Sequence, residues 1–201
     1  MIYKKITIAL LISVLLSGCA YFQKKPRAFT YVPWKKREAE HRKITAWKMA
    51  GVFSITYKKK RDVASFDWQQ KPDGYTINIS GPIGIGSARV VGDSEGVKFW
   101  RTSEEVFAAN TPEQLMQEQL GWQLPISDIR YWILGMPAPK RVDYKYLDRY
   151  GHLNFFKQNG WQVRYSEFRC EVKKGVDLPQ LIELQNKDVA IKIKIKKQSV
   201  Y

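Results

Sequence analysis

Apolar and polar residues alternate along much of the chain, the pattern that predicts β-strands with one covered face. The clearest example lies near the end, where Ile191, Ile193 and Ile195 alternate with lysines. Because successive side chains of a strand point to opposite faces, each such segment has one apolar and one polar face. The predicted strands lie near residues 49–57, 63–69, 75–79, 87–91, 97–101, 142–148, 152–158, 161–168, 180–186 and 191–196. Together they predict one curved antiparallel sheet of roughly ten strands.

Three segments depart from this period and predict helices against the sheet. Residues 34–47 are highly charged and carry Trp34, Ile44 and Trp47 at loosely helical spacing. Thr111 followed by Pro112 is typical of a helix start, with Thr as the N-cap. Residues 127–134 form the third segment. The predicted fold class is therefore mainly β (α+β).

The first residues predict export and lipidation. Lys4 and Lys5 precede the eleven residues 6–16, nine of which are apolar. This stretch is too short to cross a bilayer but suits a secretion signal. It ends in Leu-Ser-Gly-Cys19, which resembles the bacterial lipobox, in which cleavage leaves an acylated Cys19 as the new N-terminus. Ala20 follows where retained inner-membrane lipoproteins commonly have Asp, which favours the outer membrane.

These features predict three segments: a signal peptide over 1–18, a lipidated N-terminus with a flexible tether over 19–33, and a domain over 34–201. The formal net charge of +15 would otherwise suggest nucleic acid. Export removes that interpretation, and the lysines become a solvated face or one near anionic lipid head groups. We therefore predict no nucleic-acid partner.

The residue inventory gives no catalytic site. Two cysteines and two histidines exclude a Cys-rich zinc site, and no nucleophile elbow is present. We expect His41 and His152 to face solvent and Cys170 to be buried as a small apolar side chain. The sequence predicts no enzyme, no metal and no cofactor. The abundant aromatic residues indicate either ordinary core or an apolar cavity.

The segment 81–86 is unusual for a turn between strands, because it carries Ile83 and Ile85 among glycines and a proline. The isoleucines either fold back beneath the sheet or form an apolar tip that enters a membrane or a partner. Composition alone leaves both alternatives open.

An ordered set of segments resembles the LolB family of outer-membrane lipoproteins. The resemblance covers about residues 34–196, and the lipobox agrees with it. The segments that carry it are residues 47–53, 66–70, 75–79 running into 81–84, 120–125, 132–137, 160–165 and 178–179. The Lys-rich residues 192–197 lack the closing Trp of some members, so the resemblance implies nothing for that end.

The resemblance implies a single incomplete antiparallel β-barrel of about ten or eleven strands, closed by about three helices around an apolar cavity for acyl chains. Such proteins are lipid-anchored in the outer membrane, face the periplasm, accept acylated lipoproteins from the carrier LolA and insert them into the inner leaflet. No cofactor is implied, and we expect a monomer. The insertion loop corresponds to Pro82, Ile83, Gly84 and Ile85, with Ile83 as the protruding residue.

The alternation of strand residues and the placement of the helices predict which side chains face or cover the cavity. The candidates are Ala64, Phe66, Trp68, Tyr75, Ile77, Ile79, Trp122, Trp132 and Ile133. Three alternatives remain beside this function: an envelope protein that binds phospholipid or lipopolysaccharide, an anchored hydrolase, and a soluble carrier of the LolA type. Cys19 argues against the carrier.

Overall fold

Eleven antiparallel strands form one open sheet in the computed structural model, which describes residues 28–81, 87–101, 105–121, 124–171 and 175–201. The strand order is β6-β5-β4-β3-β2-β1-β11-β10-β9-β8-β7, so β1 and β11 pair at the centre. The strands are β1 (Trp47–Tyr57), β2 (Lys60–Lys71), β3 (Gly74–Ser80), β4 (Ser87–Asp93), β5 (Val97–Trp100), β6 (Val106–Ala109), β7 (Tyr144–Leu147), β8 (Leu153–Gln158), β9 (Trp161–Glu171), β10 (Val176–Gln185) and β11 (Val189–Val200). The prediction of an antiparallel sheet in a mainly β fold is confirmed.

Three helices accompany the sheet in the described ranges: α1 (Trp34–Arg42), α2 (Pro112–Leu120) and α3 (Ile126–Trp132). Thr111 caps α2 as predicted, because its Oγ1 accepts a hydrogen bond from the amide of Gln114 (3.2 Å). No helix of the described residues is long and apolar enough to cross a membrane.

The first helix and strand β6 depart from the prediction. The first helix ends at Arg42 rather than Trp47, because Trp47 begins β1 and packs its ring 5.2 Å from that of Trp68. Strand β6 was not predicted, since its four residues are too few for alternation to stand out.

One face of the sheet, the inner face, carries the core. The apolar residues of β1, β2, β3 and β11 share this face through the strand register, as in the row Ile193, Phe53 and Ala64. The register between β1 and β11 shifts at Gly51, where a Cβ would overlap the carbonyl oxygen of Lys194. Glycine is therefore required at the centre of the sheet.

The outer face is polar and partly charge-balanced. Lys192 of β11 lies 2.8 Å from Glu183 on β10, and Lys194 is paired with Glu167 on β9. The lysines predicted to form a solvated face thus meet glutamates on neighbouring strands, and such exposed pairs contribute little stability.

A buried polar cluster holds α1 against the sheet. The guanidinium of Arg37 contacts Asp177 Oδ2 of β10 at 2.8 Å, and its Nη2 donates to the carbonyl oxygen of Tyr150 (3.1 Å). His152 lies between Asp148 (Nδ1 to Oδ2, 2.8 Å) and Asp177 (Nε2 to Oδ2, 3.0 Å). Burial raises the pKa of Asp177, but the hydrogen bonds from His152 and Arg37 outweigh it and lower that pKa to about 2.

Both histidines are only 1% exposed, so the prediction that they face solvent is wrong. His41 turns toward β10, where its Nε2–H donates to the carbonyl oxygen of Asp177 (3.2 Å). His152 is stacked on Phe168, with ring centroids 4.2 Å apart. Each ring is covered by an element distant in sequence, which local composition does not reveal. Cys170, expected to be buried, is half-buried on β9.

The chain joins the domain earlier than the predicted tether boundary at residue 33. The amide of Val32 donates to the carbonyl oxygen of Tyr150 (3.1 Å). The Phe29 ring meets the edge of His152, with centroids 5.0 Å apart. Residues 29–33 therefore pack against the domain, and the residues before 28 lie outside the described part.

Candidate functional site

A cavity of about 370 Å³ lies between the inner face of the sheet and helices α2 and α3. Its apolar lining residues come from both layers. From the sheet they are Phe53, Ile55, Tyr57, Phe66, Trp68, Ile77, Ile79, Val90, Phe99, Ile191 and Ile193; from the helical side they are Met116, Leu124, Ile126, Ile129 and Ile133. The site is an apolar hollow with a few polar groups, which suits a ligand with a hydrocarbon portion.

Alternation in the sequence located part of this wall. Phe66, Trp68, Ile77 and Ile79, assigned inward from alternation, and Ile133, assigned from its helix, line the cavity. Four of these five lie on β2 and β3, whose register pairs Phe66 with Ile79 and Trp68 with Ile77.

Three other candidates lie elsewhere. Ala64 is buried but is not among the lining residues of the cavity, and a Cβ added at the neighbouring Gly81 would lie 3.1 Å from the Cβ of Ala64. Tyr75 lines a separate cavity of about 130 Å³ beside Trp68, and burial raises the pKa of its hydroxyl. The ring of Tyr75 fits there because position 92 is glycine, where any Cβ would overlap it.

Trp132 is a core residue rather than a cavity residue. It is fully buried, and its Nε1–H donates to Gln158 Oε1 (3.0 Å). Its carbonyl oxygen accepts a hydrogen bond from the Tyr165 hydroxyl (2.7 Å), and its ring packs against Phe156 and Trp161. The orientation of α3 decides whether this side chain points into the core or into the cavity. Helical spacing in the sequence did not predict that orientation.

The remaining predicted residues lie outside the described ranges. These are Cys19, Trp122 and the loop residues Pro82, Ile83, Gly84 and Ile85. Their predicted roles remain predictions.

Sequence reasoning missed the contribution of the two central strands. Phe53 and Ile55 of β1 and Ile191 and Ile193 of β11 complete the wall, in the register Phe53–Ile193 and Ile55–Ile191. The alternation of Ile191 and Ile193 was visible, but the pairing that brings the end of the chain beside β1 was not. The helical residue Met116 likewise could not be assigned to the cavity without knowing the helix orientation.

Polar side chains of the lining mark one end of the sheet. Lys60, Asp62 and Arg101 line the cavity where β1 joins β2 and where β5 ends, here called the distal end. Gly81 and Ser87, which flank the predicted insertion loop, belong to this end because β3 finishes and β4 starts there. The opposite end, where β1 begins and α1 packs, is called the tether end.

Chemically, the cavity can shelter apolar groups from water. Its wall is aliphatic and aromatic, and its charged groups lie toward the distal end. Within the described ranges, no three His, Cys, Asp or Glu side chains are grouped as metal ligands would be.

Comparison with solved structures defines the class of fold. A LolA superfamily protein from Nitrosomonas europaea aligns with a TM-score of 0.51 at 10% identity, covering 85% of this chain and 94% of that one. A DUF1329 family protein from Desulfovibrio piger aligns with a TM-score of 0.51 at 9% identity, covering 84% and 93%. The open sheet covered by helices is therefore a fold that this chain shares with these two proteins.

Sequence comparison gives the family. The family model described as "Outer membrane lipoprotein LolB" matches residues 45–197. The outer-membrane lipoprotein LolB of Coxiella burnetii is 40% identical over 188 residues, 92% of this chain and 88% of that protein. LolB of Pseudomonas putida is 32% identical over 185 residues, 90% and 89% of the two chains. The chain belongs to the LolB family, and it is an outer-membrane lipoprotein receptor of the lipoprotein-sorting pathway.

Proposed function

We propose that the chain is anchored in the outer membrane through acylated Cys19, faces the periplasm, and accepts lipoproteins from the carrier LolA as a monomer. The acyl chains of the cargo occupy the cavity between the sheet and helices α2 and α3 before they enter the inner leaflet. The observation that carries this proposal is the apolar cavity of about 370 Å³ in a protein of the LolB family.

The energetics explain why a sheltered site is needed. Each methylene removed from water contributes about 0.8 kcal/mol. Three acyl chains of about 15 methylenes each therefore carry on the order of 35 kcal/mol, an upper figure because the chains shield one another. A cargo with this penalty does not cross an aqueous gap unaided. Transfer between sheltered sites needs no bond to be made or cut.

The volume of the cavity limits what it holds in this conformation. A methylene occupies about the volume of one water molecule in the liquid, roughly 30 Å³. The cavity of about 370 Å³ accommodates on the order of a dozen methylenes. This is part of one acyl chain, so reception of a triacylated cargo requires the cavity to enlarge.

The hydrolase alternative depends on a nucleophile beside a histidine. Cys170 and His41 do line a common cavity of about 260 Å³ under α1. However, the Nε2 of His41 is engaged with the Asp177 carbonyl oxygen, and its Nδ1 has no hydrogen-bond partner. Burial and the nearby charge of Arg37 lower the pKa of His41 to about 4, which makes it a weak base. Neither this alternative nor a phospholipid or lipopolysaccharide carrier is favoured by membership of the LolB family.

Photo-crosslinking tests the cavity directly. A photoreactive amino acid is placed at Ile77, which faces the cavity, and in a matched variant at the adjacent Asn78, which faces outward. Incubation with LolA loaded with radiolabelled lipoprotein should label the variant at Ile77 and leave the one at Asn78 unlabelled. Labelling confined to Asn78 would refute the proposed site.

The loop is tested separately with Ile83→Glu, and Ile83→Leu is the control. A carboxylate resists entry into hydrocarbon, so Ile83→Glu should accept lipoprotein from the carrier but fail to deliver it to membranes. The leucine variant should do both. Acceptance is measured by release of cargo from LolA, and delivery by cofractionation with liposomes. Normal delivery by Ile83→Glu would remove the proposed role of the loop.

A further inference from the structure

Edge strand β7 and its neighbours carry an aromatic patch on the outer face of the sheet, defined here as Tyr144, Tyr146 and Phe155. Their ring centroids lie 5.7 to 6.2 Å from one another. Tyr146 is 63% exposed and Tyr144 is 44% exposed, among the most exposed large hydrophobic side chains of the described residues. These rings contact one another at tilted or edge-on angles, and the two tyrosines are exposed, so the patch lies outside the core.

Cationic side chains border the aromatic patch. The guanidinium of Arg164 lies over the Phe155 ring, 5.0 Å from its centroid, and Lys157 stands opposite Tyr144 in the register. Of the nearby acids, Glu183 is held by Lys192, and Asp143 precedes Tyr144. Tyrosines beside arginine and lysine form the combination that suits the interface of a membrane with anionic lipid head groups.

The position of the patch relative to the N-terminus indicates that the anchoring membrane lies within its reach. Phe29 packs on Tyr150, with ring centroids 5.7 Å apart, and Tyr150 follows Tyr146 by four residues, at most about 14 Å along the chain. Cys19 precedes residue 28 by nine residues, which reach about 30 Å at full extension. With the step from residue 28 to Phe29 and the width of the Phe29–Tyr150 contact added, a membrane that holds an acylated Cys19 lies within roughly 60 Å of the patch.

We propose that the aromatic patch, with Arg164 and Lys157, docks on the phospholipid surface of the membrane that anchors the chain. This inference rests on the proposed anchoring through Cys19. The tyrosine rings lie at head-group depth, and the two cations meet lipid phosphates. Docking by this edge defines one of the orientations that the tether allows the domain to adopt on the membrane.

The test uses the full acylated chain, reconstituted in phosphatidylethanolamine vesicles with a minority of phosphatidylglycerol. An environment-sensitive fluorophore is attached in a Cys170→Ser background at Gln162→Cys, which borders the patch on the outer face. The matched control carries the fluorophore at Asn78→Cys on the outer face of β3. Nitroxide-labelled lipids should quench the probe at position 162 and leave the probe at position 78 bright.

Three substitutions test the contributions of charge and of the tyrosine separately from the fold. Arg164→Gln should lower the ratio of quenched to unquenched probe about fivefold, equivalent to the ~1 kcal/mol of one cation near an anionic surface. Lys98→Gln removes the same charge from the outer face of distant β5 and should leave the ratio unchanged. Tyr146→Ser should also lower it, and thermal unfolding of each variant shows whether the fold is kept.

Three results would overturn the inference: equal quenching at positions 162 and 78, no quenching at either, or a probe at 162 that ignores vesicles but is shielded by purified LolA. The last would make the patch a carrier surface. Transfer of labelled lipoprotein from LolA is measured on the same samples. Transfer without quenching rejects only the membrane patch, whereas loss of both anchoring and transfer rejects the proposed function itself.

Discussion

His41 shows how one residue couples the N-terminal helix to the solution pH. Its ring is almost fully buried beneath α1, with one nitrogen bonded to the backbone of Asp177 and the other without a partner. Burial, with a smaller contribution from Arg37, lowers its pKa from 6.5 to about 4. The folded protein therefore holds this imidazole neutral where the unfolded chain would protonate it.

This depressed pKa predicts acid destabilisation of a definite sign. Between about pH 6.5 and pH 4 the unfolded chain binds the proton and the folded protein does not, so the free energy of unfolding falls as the pH falls. The loss over this window amounts to roughly 3 kcal/mol at most. In His41→Gln, whose amide can still donate to Asp177, this pH-dependent loss should disappear. Urea unfolding across the window checks it, and an unchanged pH dependence in the variant would contradict the assignment.

At the same scale, alternation in the sequence predicted which face of a strand a residue occupies, but not which residues surround it. Phe66 and Ile77 could be assigned to an inner face because a strand fixes that face by period alone. Trp132, predicted to face the cavity, lies in the core instead. A helix places neighbouring residues about 100° apart, and only the packing decides which of them meets the cavity. The exposure of the histidines was predicted wrongly because residues distant in sequence bury them. His41, for example, is bonded to the backbone of Asp177, more than a hundred positions away.

At the scale of elements, α1 is fastened to β10 by a buried ion pair rather than by an apolar stripe. Arg37 is 6% exposed, and its partner Asp177 also contacts His152. The predicted helix had few apolar residues, and the structure explains how so polar a segment packs: its buried face includes Arg37 and His41 beside Trp34. Burying such a pair costs desolvation free energy that the attraction between the two charges offsets. Removing one partner leaves the other charge buried and uncompensated.

Asp177→Asn should therefore lower the free energy of unfolding by about 3 kcal/mol or more, because Arg37 stays buried without its counter-ion. Lys43→Gln, which breaks the exposed pair with Glu40, should cost less than about 1 kcal/mol. Combining Asp177→Asn with Arg37→Met should cost less than the sum of the two single changes. Urea unfolding of the four variants gives the coupling, and strict additivity would show that the pair does not act as a unit.

The strands illustrate what alternation can and cannot predict for an element. Long strands such as β2, with twelve residues, show enough periods to be recognised. The edge strands β6 and β7 have four residues each. The pairing of β1 with β11, which closes the middle of the sheet, joins segments about 140 residues apart and left no local signal. Alternation predicted one curved antiparallel sheet, and the family resemblance implied that it forms an incomplete barrel. The structure confirms a single antiparallel sheet of eleven strands in the described residues.

At the scale of the whole molecule, the cavity is smaller than its proposed cargo. It accommodates about a dozen methylenes, by the volume of roughly 30 Å³ each, whereas a lipoprotein carries three acyl chains. The helical side of the wall is the part that can yield: the hydrogen bonds that join α2 to the start of α3, from the amide (2.9 Å) and hydroxyl (3.2 Å) of Ser127 to Glu113, lie at the surface, whereas Trp132 at the end of α3 stays anchored in the core. The paired strands of the sheet cannot separate without losing backbone hydrogen bonds.

A triacylated lipopeptide should therefore displace the helices and leave the sheet in place. Hydrogen exchange of the amides in α2 and α3 should become faster on binding, while that of β1 and β11 stays unchanged. A single-chain fatty acid, which nearly fits the existing volume, provides the control and should leave all four elements unchanged. Unaltered exchange in α2 and α3 with the lipopeptide bound would show that the cavity enlarges elsewhere or not at all.

The first described residues lie at the tether end, whereas the charged lining residues of the cavity lie at the distal end. The eleven residues of β1 cover about 35 Å along the strand, and the nine residues from Cys19 to residue 28 reach at most about 30 Å. If the chain is anchored through Cys19 as proposed, the distal end points to the periplasm when the domain stands upright and meets the bilayer when the domain lies down. Reception and delivery of cargo would then use two orientations of one pivoting domain. Shortening the segment between Cys19 and the domain would impair delivery before reception.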